Sequence, residues 1–354
     1  MHTLKATASS SLSLAEGSYI YSLEASSPVS FATISSDNSL RTFDAASLNH
    51  VSLVATDIHQ GVTSLKSYDD NQQLLATGGR DGKVKLWDLR TGKKAAVAGM
   101  ETSNQAPVLS IACCAATNSL VAGTELKSSQ AIVAFWDVRS PGQYSLQYVE
   151  SHNDDVTENL LLSGSTDGLV NVYNTTIADE DDALVQVINH GSVHHAGFLT
   201  ERAIYALSHD EVFSIHPATD PDEQAQEPEP VQFGNLREPL GCEYVAQLCI
   251  GSQGSYVAAG STSQQRLDLV PLSASPSWQF NRENLWRLPG GHGEEIVRSV
   301  YLDEQSQSVF TCGEDGFVRV WKPQGEGMDM EDSLTKTSRP KGKRGKDRGR
   351  FNPY

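Results

Sequence analysis

The sequence has few cysteines, no long apolar run and few basic residues outside its C-terminal end. Its five cysteines contain no Cys-x-x-Cys pair; they are Cys113, Cys114, Cys242, Cys249 and Cys312. An odd number without metal-ligand spacing argues against a disulfide or zinc framework and favours free thiols in a reducing compartment. No stretch approaches the roughly 20 apolar residues that cross a bilayer, so we expect no membrane partner. The Ser- and Thr-rich N-terminus also lacks the apolar segment of a secretory signal.

Basic residues are concentrated near the C-terminus. The chain of 354 residues has a formal net charge of −17, yet positions 336–350 hold eight basic residues and one acid. This local balance of +7 leaves −24 for the rest of the chain. Because so acidic a body repels nucleic-acid phosphates, any RNA contact is expected through the tail.

The basic tail resembles a nuclear or nucleolar targeting run. Its basic residues are separated by glycines and include Lys341, Lys343, Arg344, Lys346, Arg348 and Arg350. The alternative is a disordered segment without a targeting role, and tails of this kind also bind RNA without folding. We predict a disordered basic tail at 325–354 and a nuclear, in particular nucleolar, location, with the cytoplasm as the alternative.

One motif recurs along most of the chain. It has a Ser or Thr four residues before an Asp, a Gly directly after that Asp, and an aromatic residue six positions after it. The copies run from Thr77 to Trp87, from Ser163 to Tyr173 and from Thr311 to Trp321. The Asp-Gly pair is typical of a tight turn, and the side chains after it alternate as in a strand. Short antiparallel strands repeated every 40–50 residues or so indicate a β-propeller.

The predicted fold is all-β, a seven-bladed β-propeller over residues 1–324. We place its seven units at Tyr19–Leu48, His59–Gly99, Gln105–His152, His152–Asn189, His190–Leu240, Gly241–Gly291 and His292–Gln324. The seventh unit ends after its third strand, whereas the strand-like segment Thr3–Leu14 precedes the first unit. We therefore predict that this N-terminal segment closes the ring as the outer strand of the last blade, which removes a sheet edge.

The fourth unit is shorter than the others. From the first-strand Val to the second-strand Ser or Thr there are 15 positions in unit two, 14 in unit seven and 7 in unit four. The missing residues fall between Thr157 and Leu160. Either the blade has lost most of its inner strand, or the sequence comes from a mis-spliced or mis-predicted transcript. We favour the second explanation, because loss of the strand would leave Leu160–Leu162 with an unpaired edge.

A set of polar residues repeats with the units. Its members are a His, a Ser or Thr, an Asp and a Trp: His59, Thr77, Asp81 and Trp87, then His292, Thr311, Asp315 and Trp321, with Ser163 and Asp167 matching in unit four. His, hydroxyl and Asp are the components of a catalytic triad, but a catalytic constellation occurs once. Because this one recurs, we predict a structural hydrogen-bond network inside each unit. We expect no enzyme activity, no catalytic residues, no cofactor and no metal.

The Trp-Asp pairs at Trp87–Asp88 and Trp136–Asp137 resemble the unit endings of the WD-repeat family. The resemblance covers nearly all of Thr3–Pro323, and the repeated polar positions match that family's intrablade network. Within that family, the sequence is similar to the eukaryotic WD repeat-containing protein 89 family over Ser163–Val185, Pro289–Trp321 and the basic tail. This resemblance implies a nuclear interaction scaffold that binds other proteins.

Three further features have structural and functional interpretations. Five histidines lie between His190 and His216, but we expect the strand to turn His194 and His195 to opposite faces, without a complete metal set. The acidic segment Asp220–Pro230 is predicted to be a solvated loop, with a docking site for a basic partner as the alternative.

The third feature is the Trp-Asp-x-Arg form of the tetrapeptides that end at Arg90 and Arg139. It matches a form found in substrate receptors of cullin-4 ubiquitin ligases, which implies contacts of these arginines with the ligase adaptor. In the structural alternative, each arginine pairs with an acid on the blade rim. The predicted function is a non-enzymatic protein-interaction scaffold. The alternatives are a ligase substrate receptor and an RNA-associated ribosome-assembly factor.

Overall fold

The computed structural model describes residues 1–68, 73–92, 95–128, 130–148, 155–156, 159–219, 228–252, 254–275 and 277–323. These residues form mainly short antiparallel strands, and the two α-helices among them, α1 (Glu180–Ala183) and α2 (Arg237–Leu240), have four residues each. The all-β prediction is confirmed. None of the helices in this part of the chain has the length and apolar character to span a bilayer.

Strand β1 (His2–Ser10) precedes five four-stranded sheets, which we call units 1 to 5. Unit 1 contains β2 (Ile20–Ser27), β3 (Ser30–Ser35), β4 (Leu40–Asp44) and β5 (Val51–Ala55). Unit 2 contains β6 (Val62–Ser67), β7 (Leu74–Gly79), β8 (Lys83–Asp88) and β9 (Ala98–Glu101). Unit 3 contains β10 (Val108–Cys114), β11 (Ser119–Thr124), β12 (Val133–Asp137) and β13 (Tyr144–Tyr148). Unit 4 contains β14 (Asp155–Val156), β15 (Leu160–Gly164), β16 (Leu169–Asn174) and β17 (Leu184–Asn189). Unit 5 contains β18 (Val193–Thr200), β19 (Ala203–Ser208), β20 (Val212–Pro217) and β21 (Val231–Asn235).

A nine-stranded sheet contains two further four-stranded arrays, units 6 and 7. Unit 6 consists of β22 (Tyr244–Gly251), β23 (Gly254–Ser261), β24 (Arg266–Ser273) and β26 (Trp286–Pro289), with the short β25 (Gln279–Phe280) beside β24. Unit 7 consists of β27 (Val297–Asp303), β28 (Ser308–Gly313), β29 (Val318–Pro323) and β1. The fourth strands of units 1 and 2, β5 and β9, extend beyond the predicted limits at Leu48 and Gly99.

Strand β1 closes the ring, as predicted. It pairs antiparallel with β29, where Leu4 lies opposite Pro323, and its first residues pair parallel with β26, where His2 lies opposite Trp286. The strand ends at Ser10, before the predicted limit at Leu14. Since β1 covers the outer edge of β29 and part of β26, it ties unit 6 to unit 7 and removes edges that would otherwise be open to pairing.

Apolar side chains fill the spaces between consecutive units. Among the described residues, each of seven core clusters joins two neighbouring units. Trp87 packs with Ile34 between units 1 and 2, and Phe310 of unit 7 packs on Phe31 of unit 1 with ring centroids 4.3 Å apart. The last cluster therefore joins the end of the ring to its beginning. The core of this protein is a ring of apolar layers between sheets, as the predicted β-propeller requires.

The Asp-Gly turns bring neighbouring units close together. Gly82 and Gly316 follow their Asp in the second-to-third-strand turn, with φ of +71° and +75°. These are values that glycine adopts without strain. A Cβ at Gly316 would also lie 2.3 Å from the carbonyl oxygen of Ser18, in the connection to unit 1. A side chain at this position would therefore separate units 7 and 1.

Unit 4 keeps a short first strand. The two residues of β14 pair with β15, so that Asp155 lies opposite Leu162 and Val156 opposite Leu161. The expectation that loss of the strand would leave this whole edge unpaired is wrong for these two leucines, because the remaining dipeptide covers them. Residues 151–154 and 157–158 lie outside the described residues, and the transcript explanation stays a prediction.

Candidate functional site

The structure brings the repeated polar set of unit 2 together. His59 precedes β6, Thr77 lies on β7, Asp81 in the following turn and Trp87 on β8. The indole Nε1–H of Trp87 donates to Thr77 Oγ1 over 2.8 Å. The two ring nitrogens of His59 lie 2.9 Å from Thr77 Oγ1 and 2.9 Å from Asp81 Oδ1. An indole only donates and a carboxylate only accepts, so Thr77 donates to His59 Nε2, and His59 Nδ1–H donates to Asp81.

Unit 7 contains the same chain of hydrogen bonds. His292 lies 2.6 Å from Asp315 Oδ1 and 2.8 Å from Thr311 Oγ1, and Trp321 Nε1 donates to Thr311 over 2.9 Å. Arg319 adds a cation to this network, because its guanidinium donates to Asp315 Oδ2. In unit 2 the corresponding position holds Lys85, whose ammonium donates instead to the carbonyl oxygen of Ile58.

The directions of the pKa shifts agree with this assignment of donors and acceptors. Burial lowers the pKa of His59 and of His292, and the hydrogen bonds to their aspartates offset this only in part. Burial alone would raise the pKa of Asp315, but His292 and Arg319 outweigh it and lower that pKa. The imidazoles are therefore neutral and the carboxylate charged. Each histidine is 3% exposed, and both of its ring nitrogens contact groups of its own unit. This is the arrangement of an internal hydrogen-bond network.

Two other units replace the histidine network by ion pairs. In unit 1, Asp37 accepts hydrogen bonds from Ser35, Ser39 and Arg41, with the Arg41 ion pair at 2.9 Å. Burial alone would raise the pKa of Asp37, but these donors lower it to about 2. A signal for this cluster was present in the sequence, because Arg41 lies four residues after its Asp, as Arg319 does.

In unit 6, Asp268 on β24 is 2% exposed and takes the register position that Lys85 and Arg319 occupy in their units. Arg287 on β26 donates to both of its carboxylate oxygens, over 2.8 Å each. Arg266 donates to one of them as well. Sequence reasoning missed this pair, because its two residues lie on strands that only the fold makes adjacent.

The predicted set of unit 4 is not assembled among the described residues. Ser163 is 2% exposed on β15, while Asp167 accepts the backbone N–H of Leu169 over 3.0 Å within its own turn. No contact between Ser163 and Asp167 is present in this part of the chain. His152, the histidine that would complete the set, lies outside the described residues.

The histidines of unit 5 depart from the prediction. We expected His194 and His195 on opposite faces, which is wrong: their ring centroids are 4.4 Å apart, and His209 lies 5.0 Å from His194. The reason is a register shift between Val193 and His195, which breaks the alternation at the start of β18. Burial, with smaller effects of His194, Lys66 and His209, lowers the pKa of His195 to about 3.

A second pair of unit 5 histidines was not predicted. The hydroxyl of Ser214 lies 2.9 Å from His190 Nδ1 and 2.8 Å from His216 Nε2. The other nitrogen of His190 is 3.0 Å from the carbonyl oxygen of Val212. Ser214 is fully buried, so this cluster is another internal network. No group of His, Cys, Asp and Glu in the described ranges has the arrangement of a metal site.

The two Trp-Asp-x-Arg arginines pair with the aspartate of their own motif. Arg90 donates to both carboxylate oxygens of Asp88, over 2.9 and 2.8 Å, and Arg139 pairs with Asp137 in the same way. Hydrogen bonds from Arg139 lower the pKa of Asp137 to about 2. The arginine side chains remain 61% and 68% exposed. This is the geometry of the structural alternative, and it leaves both guanidinium groups accessible.

Exposed apolar side chains form an arc at one end of the units. Each unit's first strand begins at the end where its second-to-third-strand turn lies. At that end of units 7, 1, 2 and 3 lie the residues that we call the turn rim: Phe317, Tyr19, Tyr21, Arg80, Leu109 and Leu126. Their apolar members are between 37% and 64% exposed. Arg80 packs over Gly61, and Arg319 lies 5.5 Å from the ring centre of Phe317.

A cavity of about 870 Å³ lies between the first strands of units 1, 2, 5, 6 and 7. It is lined by polar groups that are already paired, such as Glu24 with Lys66 at 3.5 Å and Arg298 with Glu314. The tail residues Lys341, Lys343, Arg344, Lys346, Arg348 and Arg350 and most of the acidic segment Asp220–Pro230 lie outside the described residues.

Comparisons with known proteins agree with this architecture. The family model "WD domain, G-beta repeat" matches residues 51–88 and 283–322. The chain resembles the β-propeller domain of Cps50 (Swd1) from Myceliophteria thermophila, with a TM-score of 0.67 and 16% identity, over 91% of this chain and 100% of that one. The fold is therefore that of a WD-repeat β-propeller.

Sequence relatives identify the family. An uncharacterized WD repeat-containing protein of Schizosaccharomyces pombe is 32% identical over 75% of this chain and 83% of its own length. One of Saccharomyces cerevisiae is 34% identical over 71% of this chain, which spans only 64% of that relative. The WD repeat-containing protein 89 homolog of Dictyostelium discoideum is 27% identical over 52% of this chain and 50% of its own. The chain belongs to the WD repeat-containing proteins.

Proposed function

We propose that this protein is a non-enzymatic scaffold that binds other proteins through its turn rim. The observation that carries the proposal is the contrast between the two kinds of side chain. The recurring His, Thr and Asp groups of units 2 and 7 are bonded to one another inside the units, whereas the apolar groups of the turn rim face solvent. WD-repeat propellers typically serve as interaction scaffolds.

The composition of the turn rim supports this role. Tyr19 is 43% exposed and Phe317 38%, and Arg80 stands between them and the exposed leucines of unit 3. Tyrosine and arginine are enriched among the residues that dominate binding energy at protein interfaces. Because the units are fixed by core layers on both sides, the rim is presented without an ordering cost on binding.

The test is quantitative affinity purification from cells with a rim variant, Tyr19→Ser combined with Phe317→Ser. We expect specific partners to be lost while the purified variant keeps its melting temperature within a few degrees. The matched control combines Leu53→Ser with Val187→Ser, which are similarly exposed at 42% and 53% but lie on outer strands. Equal partner recovery with the rim and control variants would refute the proposal.

The nuclear location stays part of the proposal. It is supported by the eight basic residues of positions 336–350 and is tested by deleting residues 336–354. We expect the truncated protein to disperse into the cytoplasm. Loss of bound RNA on the same deletion would favour the ribosome-assembly alternative, and nucleolar retention without the tail would contradict it.

One observation favours the ligase-receptor alternative. Arg90 and Arg139 are held rigidly by their aspartates yet remain mostly exposed, as contacts for a partner need to be. Under this alternative, Arg90→Ala with Arg139→Ala abolishes co-purification of a cullin-4 adaptor. Under the scaffold proposal, the double variant keeps its partners.

A further inference from the structure

Arg80 is an exposed arginine of the turn rim, and its guanidinium has no partner among the residues that the structure describes. Nine other arginines donate from their guanidinium to a carboxylate or to a backbone carbonyl: Arg41, Arg90, Arg139, Arg237, Arg266, Arg282, Arg287, Arg298 and Arg319. A guanidinium has a planar set of N–H donors that binds a carboxylate at two points. Arg80 therefore presents an unused carboxylate-binding group to solvent.

The start of the Arg80 side chain is held by the structure of unit 2. The backbone N–H of Arg80 donates to the carbonyl oxygen of Gly61 over 2.8 Å. The aliphatic stem lies over that glycine, since a Cβ added to Gly61 would lie 3.1 Å from Arg80 Cδ. The next residue, Asp81, is fixed by its contact with His59. Because the stem is already held, Arg80 loses less conformational entropy on binding than a free side chain would.

Hydrogen bonds between neighbouring turns place Tyr19 on one side of Arg80. Val62, directly after the glycine that carries the Arg80 stem, donates its backbone N–H to Asn38 Oδ1 over 2.9 Å. Asn38 lies in the turn of unit 1, two residues after Ser36, and Ser36 Oγ accepts the backbone N–H of Tyr19 over 2.9 Å. The 43% exposed ring of Tyr19 therefore belongs to the turn next to Arg80.

A second link between units places Leu109 on the other side. Thr63 Oγ1 donates to the carbonyl oxygen of Val108 over 2.6 Å, which joins the beginning of β6 to the beginning of β10. Leu109 follows directly and is 51% exposed. Arg80 is thus a free cation between two exposed apolar side chains that belong to neighbouring units.

The charges around Arg80 indicate the group that it binds. Other cations at this end are already bonded: Lys83 contacts Glu101 at 2.8 Å, and Lys127 donates to two backbone carbonyls over 3.0 Å each. Three exposed acids lie in the connections at the same end, namely Glu16, Asp57 and Glu125. One free guanidinium matches the single charge of a carboxylate, whereas these acids would repel a doubly charged phosphate group or a polyanion more strongly.

We propose that the turn rim binds a segment of a partner protein that presents an Asp or Glu side chain to Arg80. The carboxylate of that side chain accepts two N–H groups of the guanidinium. Apolar side chains of the segment, on either side of the acid, pack on Tyr19 and Leu109 and exclude water from the ion pair, which strengthens it. This inference rests on the proposed function, because it names the kind of segment that the turn rim recognises.

The probe is a phage-displayed library of random peptides, selected on the whole protein. We expect the enriched peptides to share an Asp or Glu with aromatic or aliphatic residues beside it. Selection on Arg80→Glu should remove this preference and enrich Lys or Arg in its place, because the variant reverses the charge of the binding group.

An enriched peptide is then labelled with fluorescein and titrated by fluorescence anisotropy. Arg80→Gln should weaken its binding about tenfold, the effect of hydrogen bonds to a charged group. Replacing the acid of the peptide by its amide should cause a similar loss, and the two changes together should cost little more than either alone. The matched control is Arg90→Gln at the other end of β8, an exposed arginine that is paired with Asp88. It should leave both the affinity and the melting temperature unchanged.

Failure of this proposal and failure of the proposed function give different results. If Tyr19→Ser with Phe317→Ser leaves the affinity for the peptide unchanged, the turn rim is not the binding surface and both proposals are wrong. If that variant abolishes binding while Arg80→Gln binds like Arg90→Gln, only the carboxylate proposal is overturned. Selection that enriches no peptide, or only peptides without an acid, would also overturn it. So would tighter binding of the same peptide with phosphoserine in place of its acid.

Discussion

Replacing Thr77 by Val is the sharpest test of the internal networks, because it removes one hydroxyl and changes the shape of the side chain little. Thr77 is fully buried and bonded to both Trp87 and His59. The variant therefore leaves an indole N–H without an acceptor and an imidazole nitrogen without a donor. At about 1 kcal/mol for each bond, the free energy of unfolding should fall by about 2 kcal/mol.

For a domain of this size, that loss corresponds to a melting temperature about 3 °C lower in scanning calorimetry. The control is Thr42→Val on β4, a partly buried threonine whose hydroxyl has no partner among the described residues. Combining Thr77→Val with Trp87→Phe should cost less than the two single changes together, because both remove the same bond. A Thr77→Val protein with the same melting temperature as the Thr42→Val control would refute the network.

Three further predictions concern pH, the exposed arginines and ring closure. Burial lowers the folded-state pKa of His59, His195 and His292, so the unfolded chain binds protons below about pH 6.5 that the native state does not. The free energy of unfolding, measured in urea titrations, should therefore fall as the pH drops from 6.5 to 5. His195→Asn should reduce the dependence of this free energy on pH by about 1.4 kcal/mol per pH unit. A pH dependence that this variant leaves unchanged would contradict the burial of His195. Arg90→Ala should change the free energy of unfolding by less than about 1 kcal/mol, since exposed ion pairs contribute little to stability. A larger loss in denaturant titration would contradict an exposed ion pair between Arg90 and Asp88. Deleting residues 1–10 should produce aggregates in size-exclusion chromatography, because β29 loses its partner strand. A truncated protein that elutes like the full chain would argue against closure by β1.

The repeated parts of the fold were predictable from the sequence because spacing determines them. His59, Thr77, Asp81 and Trp87 have the chemistry and the separation that one sheet needs, and the same set returns in unit 7. The closing strand was predictable because unit 7 ended one strand short and an unused strand-like segment lay at the other end of the chain.

Other parts depend on partners that only the fold brings together. Asp268 and Arg287 lie on strands separated by a long connection, so no local pattern joins them. The prediction that His194 and His195 lie on opposite faces was wrong because a one-residue bulge interrupts the alternation of side chains along β18. A bulge of this kind leaves no clear signal in the sequence.

The recurring polar groups of units 2 and 7 are bonded inside their units, and we propose that the turn rim binds proteins. Site-specific photo-cross-linking in cells tests this directly, with benzoylphenylalanine at Tyr19 and, in a parallel sample, at Leu53. We expect discrete protein adducts from Tyr19 that are absent from Leu53, although both side chains are about equally exposed. The same adducts from both positions, or none from Tyr19, would contradict it.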